Sequence, residues 1–483
     1  MLTRRNFLAA ASAALPARRP NVVLVLVDQW RAQAAGYSGD ANARTPALDR
    51  LAGESANFVN AISGCAVCSP YRGSLMTGQY PLTHGVFIND VPLAPKGPTL
   101  AQVFGAAGYR TGYIGKWHLL GSPDGAYGRR RAFVPREKRF GFDYWKAFEC
   151  SHNYNKSEYF EGDDQTVRLW DGYDAIAQTR DACGFIERSA RAADPFLLVV
   201  SLGPPHSPYG TAPESYRARY ADRTIQLRPN VPEPVRRRSI EDLRGYYAHI
   251  AALDDCVARF TATLEKGGVA EDTILVFTSD HGDMLGSHGL TAKQHPWDES
   301  VRVPFLVRYP RALGRRGRVI RQPIDAPDIM PTLLGLAGLA IPGHVQGEDL
   351  SGVARGTRAE DPQRGALINM AAPFTQVRRC GFAPFRGLRT ATHTYVRAIS
   401  GPWLLYDNAR DPYQMHNLCG RGEGKAALAI LDRQLEARLK QVNDDFLPAA
   451  AYLERAGLQH YREANVPVGR CTSPWNDWQA TWK

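Results

Sequence analysis

Asn21–Asp28 reads NVVLVLVD, an apolar run rich in valine that begins on an amide and ends on a carboxylate. The run has the length of a strand, and because both of its faces are apolar it is typical of a parallel sheet covered by helices on both sides. Open α/β sheets bind their ligands at the carboxyl ends of the strands. We therefore expect Asp28 and the following Gln29 to lie at a binding site.

Three further apolar runs of strand length follow, at Tyr109–Ile114, Phe196–Ser201 and Thr273–Ser279. They alternate with helical segments, of which the clearest is predicted over about 240–266 and ends at a Gly-Gly pair. This alternation predicts an α/β fold with a doubly wound, mostly parallel sheet flanked by helices. Polar residues follow each of these strands, and we expect them to share one site: Lys116, His118, His206, Asp280 and His281.

The stretch Gly64–Gly85, GCAVCSPYRGSLMTGQYPLTHG, is expected to supply the reactive group of that site. Ser69 is a favoured N-cap residue and Pro70 a favoured first residue of a helix. The sequence therefore predicts a helix that begins just after Cys68, with the positive end of its dipole facing the sulfur. Arg72 follows about one helical turn further on.

Composition and charge exclude some classes of protein. The chain has 483 residues, 44% of them hydrophobic, and a net charge of +11, so it can bury a large core in one or two domains. The basic runs at 129–131 and 236–238 are compatible with a polyanionic substrate, but the simpler interpretation is solvated loop charge. Neither run is interleaved with aromatic residues, which argues against a nucleic-acid partner.

The N-terminal segment MLTRRNFLAAASAALPA resembles a twin-arginine export signal. We expect a signal peptide over residues 1–17 and a periplasmic or secreted protein. The apolar part is too short for a stable membrane anchor, and no other segment has about 18 uninterrupted apolar residues.

The cysteines leave a second interpretation open. Eight cysteines in a chain of this length do not form a disulfide framework. Cys65 and Cys68 form a CxxC pair, for which half a zinc site or a redox pair is the alternative. The sequence has no second CxxC pair.

The residues that follow Cys68 carry a family resemblance. Cys-x-Pro-x-Arg over 68–72, followed by Leu-Met-Thr-Gly over 75–78, resembles the signature of the type I sulfatases. This resemblance implies an alkaline-phosphatase-like fold and the conversion of Cys68 to formylglycine by a maturation system. It also implies a catalytic domain over 20–345 and, over 346–483, a smaller C-terminal antiparallel sheet-plus-helix subdomain with a tail.

The resemblance also implies roles for individual residues. Asp28 and Asp280 match the metal-binding aspartates, and the hydrate of formylglycine at position 68 would be both metal ligand and nucleophile. Arg72 would hold the hydrate. Lys116 and His118 match the pair beside the nucleophile, with His118 as the base that expels sulfate from the covalent intermediate. The two residues that match sulfate contacts assisting the leaving group are His206 and Lys293.

Three positions depart from the family pattern. Gln29 stands where many members have aspartate, and His281 where many have asparagine. Both keep a metal-ligand role, but they leave the identity of the metal open. Oxygen-rich ligand sets suit hard cations, so we expect one divalent ion, calcium first and magnesium or manganese otherwise. Tyr71 replaces the more frequent serine and bears on the efficiency of conversion.

Three functions remain from the sequence. The first is an exported sulfatase that hydrolyses the sulfate ester of a small molecule or, by preference, a carbohydrate. The second is a phosphonate or phosphate ester hydrolase of the same superfamily. The third is a non-catalytic carbohydrate-binding relative in which Cys68 is never oxidised.

Overall fold

The strand predicted over Asn21–Asp28 has these bounds in the computed structural model, which describes residues 19–121, 131–374 and 382–459. All eight of its residues are buried. The expected signal peptide over 1–17 and the C-terminal end of the tail lie outside the described residues, as does most of the 129–131 run.

The strands of the described residues are β1 (Asn21–Asp28), β2 (Ala56–Phe58), β3 (Ala61–Ile62), β4 (Arg110–Lys116), β5 (Tyr144–Phe148), β6 (Glu158–Glu161), β7 (Asp164–Leu169), β8 (Phe196–Pro205), β9 (Thr273–Ser279), β10 (Arg302–Val303), β11 (Phe305–Arg308), β12 (Arg318–Ile320), β13 (Ile324–Asp325), β14 (Gly365–Met370), β15 (Phe385–Thr390), β16 (His393–Ala398) and β17 (Gly401–Asp407).

The α-helices are α1 (Pro46–Gly53), α2 (Cys68–Thr77), α3 (Pro81–His84), α4 (Leu100–Ala106), α5 (Asp174–Ala190), α6 (Glu214–Arg217), α7 (Arg236–Lys266), α8 (Asp298–Val301), α9 (Pro310–Leu313), α10 (Ala326–Ala337), α11 (Ser351–Arg355), α12 (Lys425–Gln441) and α13 (Ala449–Arg455). Short 3₁₀ helices span Gly36–Ser38, Arg136–Lys138, Tyr209–Thr211, Glu233–Val235, Ala270–Asp272, Ser287–Gly289 and Gly422–Gly424.

The main sheet has 10 strands in the order β12-β2-β11-β9-β1-β8-β4-β5-β6-β7. The four strands predicted from apolar runs are neighbours at its centre, and β1 pairs in parallel with both β8 and β9. Strand β4 continues the parallel order between β8 and β5. Strand β11 is antiparallel, so the sheet is mixed towards that edge. The expected doubly wound, mostly parallel sheet is confirmed.

Helices cover both faces of this sheet, as the apolar pattern of β1 predicts. Val22, Leu24 and Leu26 belong to one buried cluster, which also contains residues of α2, α4 and α10. The alternate residues Val23, Val25 and Val27 belong to a second cluster with residues of α1, α5 and α7. Because side chains alternate along a strand, a run that is apolar at every position buries both faces. No described helix is both long enough and apolar enough to cross a bilayer.

The C-terminal part forms the expected small antiparallel sheet, with strands in the order β14-β15-β16-β17. One face of it packs on α12 through Leu431 and Leu435. The other face packs against Cys65, Ala66 and Val67, immediately before helix α2, which begins at Cys68. Asn369 N donates to Gly64 O at 2.6 Å, so β14 holds this segment directly. The C-terminal sheet therefore forms one wall of the segment that carries Cys68.

Candidate active site

Helix α2 presents Cys68 as its first residue, whereas the sequence predicted a helix that begins just after Cys68. The helix begins at Cys68 and its N-cap is Val67, in extended conformation. The prediction that Ser69 is the N-cap was wrong, because Ser69 lies inside the first turn and its Oγ has no hydrogen-bond partner among the described residues. A tertiary contact replaces the cap, since Asn89 Oδ1 accepts from Ser69 N at 3.0 Å.

Helix α2 is enclosed on every side. All ten of its residues are buried, and Cys68 is 2% exposed. A side chain at Gly73 would collide with His84, because a Cβ built there lies 2.6 Å from the ring. His84 in turn bonds Ser74 Oγ through Nε2 at 3.1 Å and accepts from Val86 N through Nδ1 at 3.2 Å. The segment quoted around Cys68 therefore folds back on its own helix and fixes its position.

Two carboxylates reach Cys68 from neighbouring parallel strands. Asp28 is the last residue of β1, and Asp280 follows β9 directly. Both carboxylate oxygens of Asp28 lie 3.8 Å from Cys68 Sγ. His281 Nε2 lies 3.2 Å from the same sulfur and 3.4 Å from Asp28 Oδ1.

These four side chains form a compact buried set of potential metal ligands. One ligand atom from each of Asp28, Cys68, Asp280 and His281 lies within 4.8 Å of the others. Burial and the nearby Asp28 raise the pKa of Asp280, as expected when two buried carboxylates share too little positive charge. A divalent cation supplies that charge, so the donor set fits a metal ion of the kind held by carboxylate oxygens.

Two buried cations complete the inner part of the site. Arg72 donates to Asp280 Oδ2 at 3.0 Å and lies 3.6 Å from Asp28. Its other terminal nitrogen donates to Ser201 Oγ at 2.6 Å and to Lys116 O at 2.9 Å. Lys116 Nζ donates to Asp28. Burial alone would raise the pKa of Asp28, but Lys116 and the surrounding histidines outweigh burial and hold that pKa well below its usual range.

A second group lies next to this set. Lys293 Nζ donates to Gln29 Oε1 at 2.9 Å and contacts His206 Nε2 at 2.7 Å. Gln29 N donates to Asp280 Oδ1 at 3.1 Å, which joins this group to the carboxylates. Burial first, and Lys293 second, lower the pKa of His206. His206 is therefore neutral and accepts a hydrogen bond from the lysine ammonium.

His118 lies apart from both groups. Its Nε2 bonds Asp90 Oδ1 at 3.1 Å. Among the described residues, no hydrogen bond or ion pair joins its side chain to another of the predicted site residues. Its backbone N donates to Glu149 O at 2.7 Å, so the end of β4 is fixed against the segment after β5.

Three residues of this region were not among the site residues predicted from the sequence. Asp283 Oδ2 accepts from Gln29 Nε2 at 2.6 Å and also accepts from Tyr209 OH. Cys150, buried two residues after β5, lies beside His118: burial would lower the pKa of His118, but Cys150 and then Asp90 hold it well above its usual range. His152 stacks on His206 with ring centroids 4.0 Å apart.

A signal for these residues exists in the sequence. Asp283 belongs to the Asp-His-Gly-Asp tetrapeptide after β9. Cys150 and His152 follow β5, which lies parallel to β4 and so ends at the same edge of the sheet. If β5 had been predicted as a strand, the polar residues that follow it would have been placed at the site.

A cavity of about 840 Å³ opens beside His206 and His152. His152, His206 and Tyr209 form one side of it, and the rest of the lining carries three arginines and three acidic residues. Arg217 pairs with Glu214, and Arg238 pairs with Asp242 at 2.8 Å, so the lining is charged but balanced. The size of the cavity lies within the range of about 300–1,000 Å³ that is usual for small-molecule sites.

Comparison with known proteins gives consistent matches. The family model described as Sulfatase matches residues 20–339, and one described as N-sulphoglucosamine sulphohydrolase, C-terminal, matches residues 286–444. The chain is 44% identical over 441 residues to an ulvan-active sulfatase of Formosa agariphila, covering 90% of this chain and 84% of the relative. It is 30% identical to an endo-4-O-sulfatase of Bacteroides thetaiotaomicron, covering 89% and 93%.

Solved structures agree with these matches. The crystal structure of the sulfatase YidJ from Bacteroides fragilis superposes with a TM-score of 0.81 at 30% identity. The match covers 92% of this chain and 99% of that one.

Proposed function

Because the chain belongs to the sulfatase family and is a sulfuric ester hydrolase, we propose that its substrate is the sulfate ester of a carbohydrate. The observation that carries the proposal is the cavity of about 840 Å³ beside His206, which is large enough for a saccharide unit and is lined by charged and polar side chains that can bond its hydroxyl groups. The names of the relatives agree, since one acts on ulvan.

The family implies a metal ion and a formylglycine, and the inner residues are suited to both. Asp28, Asp280 and His281 would hold the cation, with the residue-68 side chain as a fourth ligand. Gln29 stays a proposed ligand, although its amide oxygen accepts from Lys293 here. A divalent cation bound there would act as a Lewis acid on a sulfate oxygen, and calcium is our first assignment. Formylglycine at position 68 would supply a hydrate oxygen as nucleophile.

The other residues of the site neutralise charge and move a proton. Arg72 and Lys116 are buried cations beside the nucleophile, where they would stabilise the negative charge of the sulfate in the transition state. As the S–O bond to the sugar breaks, the departing oxygen takes the bonding electrons and needs a proton. Lys293 carries that proton, and His206, which is neutral and accepts its hydrogen bond, holds the ammonium in place. His118 is assigned to the later release of sulfate, as the base.

We also propose where the protein works and how it is divided. The twin-arginine segment over 1–17 would export the protein to the periplasm or the medium. A formylglycine-generating system would act on Cys68 before export. The catalytic domain would span 20–345, and 346–483 would form the C-terminal subdomain and tail.

The test is turnover by the purified protein after the state of residue 68 has been established by mass spectrometry of its peptide. Sulfated mono- and oligosaccharides are assayed beside an aryl sulfate and an aryl phosphate. We expect formylglycine at position 68 and release of sulfate from a saccharide. Cys68→Ala should release no sulfate. Its matched control is Cys183→Ala, a substitution of a free cysteine outside the site, which should leave sulfate release unchanged.

Two results would contradict the proposal. Faster cleavage of the aryl phosphate than of every sulfate ester would favour the phosphate or phosphonate hydrolase. An unmodified Cys68 in protein that binds sulfated saccharides but releases no sulfate would favour the non-catalytic relative.

A further inference from the structure

A second cavity lies beside the segment that follows β1, and none of the predicted site residues lines it. Its volume is about 510 Å³, and it is enclosed by the segment after β1, by β2 and by the loop that precedes α7. The residues over 38–41 at its mouth are largely exposed, so the cavity opens to solvent.

Arg31 contributes a buried guanidinium to this cavity. Its side chain is 2% exposed. Among residues 19–121, 131–374 and 382–459, no carboxylate oxygen lies within 4.0 Å of it, and its side-chain nitrogens donate no hydrogen bond. A buried charge is normally paired with an opposite charge or hydrogen-bonded, because removal from water is costly. Within the described chain, Arg31 therefore makes no direct ion pair: burial would lower its pKa, but Tyr247, Tyr246, Asp40 and Glu299 raise that pKa, and its side-chain N–H groups are left for an occupant of the cavity.

Gln33 repeats this pattern two residues further on. It lines the same cavity, is 8% exposed, and neither its amide oxygen nor its amide nitrogen has a partner among the described residues. A buried amide without hydrogen bonds is uncommon in folded proteins. Arg31 and Gln33 together offer a charged donor, a neutral donor and an acceptor to the same space.

The rest of the lining is positive in excess. Arg228 and Arg302 also face the cavity, and their partners Glu299 and Asp298, at 2.9 Å each, are not among its lining residues. The one acidic residue in the lining is Asp40. Its oxygens already accept hydrogen bonds from Tyr247 OH at 2.6 Å and from Asn42. The carboxylate is therefore engaged, and the cavity favours an anion.

We propose that this cavity binds an acidic saccharide residue, whose carboxylate or sulfate group pairs with Arg31. A guanidinium forms two parallel hydrogen bonds to such oxyanions, which gives both strength and orientation. Gln33 would bond a ring hydroxyl, and the aromatic rings of Tyr37, Tyr247 and Tyr413 in the lining would pack against the sugar ring. The cavity is larger than a free sulfate ion requires, and a second saccharide site would hold a polyanionic chain on the enzyme between cleavages.

Binding is measured without turnover, in the Cys68→Ala protein, by isothermal titration calorimetry. The probes are a glucuronate-containing oligosaccharide that carries no sulfate, its neutral counterpart, and sodium sulfate. The first probe lacks the sulfate group that the catalytic site would hold, and the substitutions described next assign its binding to one of the two cavities. We expect it to bind, and the neutral counterpart to bind at least about tenfold more weakly.

Two substitutions in the segment after β1 identify the site. Arg31→Met and Gln33→Leu should each weaken binding of the acidic oligosaccharide, Arg31→Met by roughly tenfold to a hundredfold. Arg433→Met, which removes the same charge from an exposed position on α12, should leave binding unchanged. Because Arg31 makes no direct ion pair or side-chain hydrogen bond among the described residues, Arg31→Met should remain folded, and the melting temperature of each variant separates loss of binding from loss of folding.

Three outcomes would overturn the proposal. The first is equal affinity for the acidic and the neutral oligosaccharide. The second is unchanged binding in Arg31→Met and Gln33→Leu. The third is binding of sodium sulfate that is as tight as that of the oligosaccharide and is weakened in Arg31→Met, which would assign the cavity to a free anion.

Discussion

Lys293 Nζ lies 2.7 Å from His206 Nε2, and in this hydrogen bond the ammonium donates and the neutral imidazole accepts. In the proposed mechanism the proton for the leaving oxygen would therefore come from the lysine. Lys293→Ala should slow the cleavage of substrates with poor, alkoxide-like leaving groups by roughly 10²–10⁴-fold, because these need the proton most.

The measurement for Lys293→Ala is kcat across a series of sulfate esters of increasing leaving-group pKa. An activated nitrophenyl sulfate should be the least affected, and His206→Ala should show the same trend more weakly. Lys266→Ala, on the exposed end of α7, is the control. A loss in Lys293→Ala that is equal for all leaving groups would contradict this role.

The two carboxylates beside Cys68 should be needed for a divalent cation. Asp28→Asn or Asp280→Asn should lower metal affinity, because each removes a buried negative ligand from the four-residue set. Chelation should abolish turnover, and calcium, magnesium or manganese should restore it. Metal content is measured by elemental analysis of purified protein, together with thermal unfolding with and without added metal. Restoration by zinc alone would show that the hard-cation assignment is wrong.

Asp283 should act through Gln29. It accepts from the Gln29 amide nitrogen at 2.6 Å and from Ala292 N at 3.0 Å, next to Lys293. Asp283→Asn keeps the shape but removes the charge that fixes both groups, so kcat should fall while the protein stays folded. The readouts are kcat, KM and metal affinity, with Asp255→Asn on α7 as the control for a lost carboxylate. Unchanged metal affinity and kcat in Asp283→Asn would show that Asp283 does not position Gln29 or Lys293.

Cys150 should set the acid–base behaviour of His118. Burial would lower the pKa of His118, but Cys150 and Asp90 raise it well above the usual range. Cys150→Ala removes the first of these partners, so the pKa of His118 should fall. A general base is active only after it has lost its proton, so the acidic limb of the pH–kcat profile follows the pKa of His118. This limb should then move to lower pH. An unshifted profile would show that His118 does not limit turnover as a base.

His84 should make the fold sensitive to acid. Burial lowers the pKa of His84 to about 3, whereas an unfolded histidine has a pKa near 6.5. The unfolded state therefore binds a proton first, and the stability contributed by neutral His84 is present above about pH 6.5 and is lost as the pH falls towards 3. His84→Gln should show a smaller decrease of melting temperature between pH 7 and pH 4. Equal slopes in the two proteins would contradict this.

The centre of the sheet could be predicted because its strands are apolar at every position. Strands β1 and β9 have the predicted bounds, and β8 extends four residues further. Strand β5 was missed because Tyr144–Phe148 includes a lysine and lies in a segment rich in glycine and arginine, where no apolar run stands out.

The inner site could be predicted because its residues follow strands that end at one edge of a parallel sheet. The helix cap could not, because Asn89 takes the place of a local serine cap. Nor could the role of Asp283, whose partner Gln29 lies 254 positions away in the chain. The unpartnered state of Arg31 is likewise visible only once the walls around it are assembled.

The complete burial of helix α2 imposes an order of events on the life of the chain. An enzyme that modifies Cys68 needs access to a side chain that the folded protein exposes by only 2%. Strand β14, which holds Gly64 through Asn369, is synthesised long after Cys68, so the nascent chain passes through a period in which that wall does not yet exist. Slower closure of this wall would lengthen the period and raise the fraction of modified protein, and faster closure would leave more chains folded around an unmodified thiol.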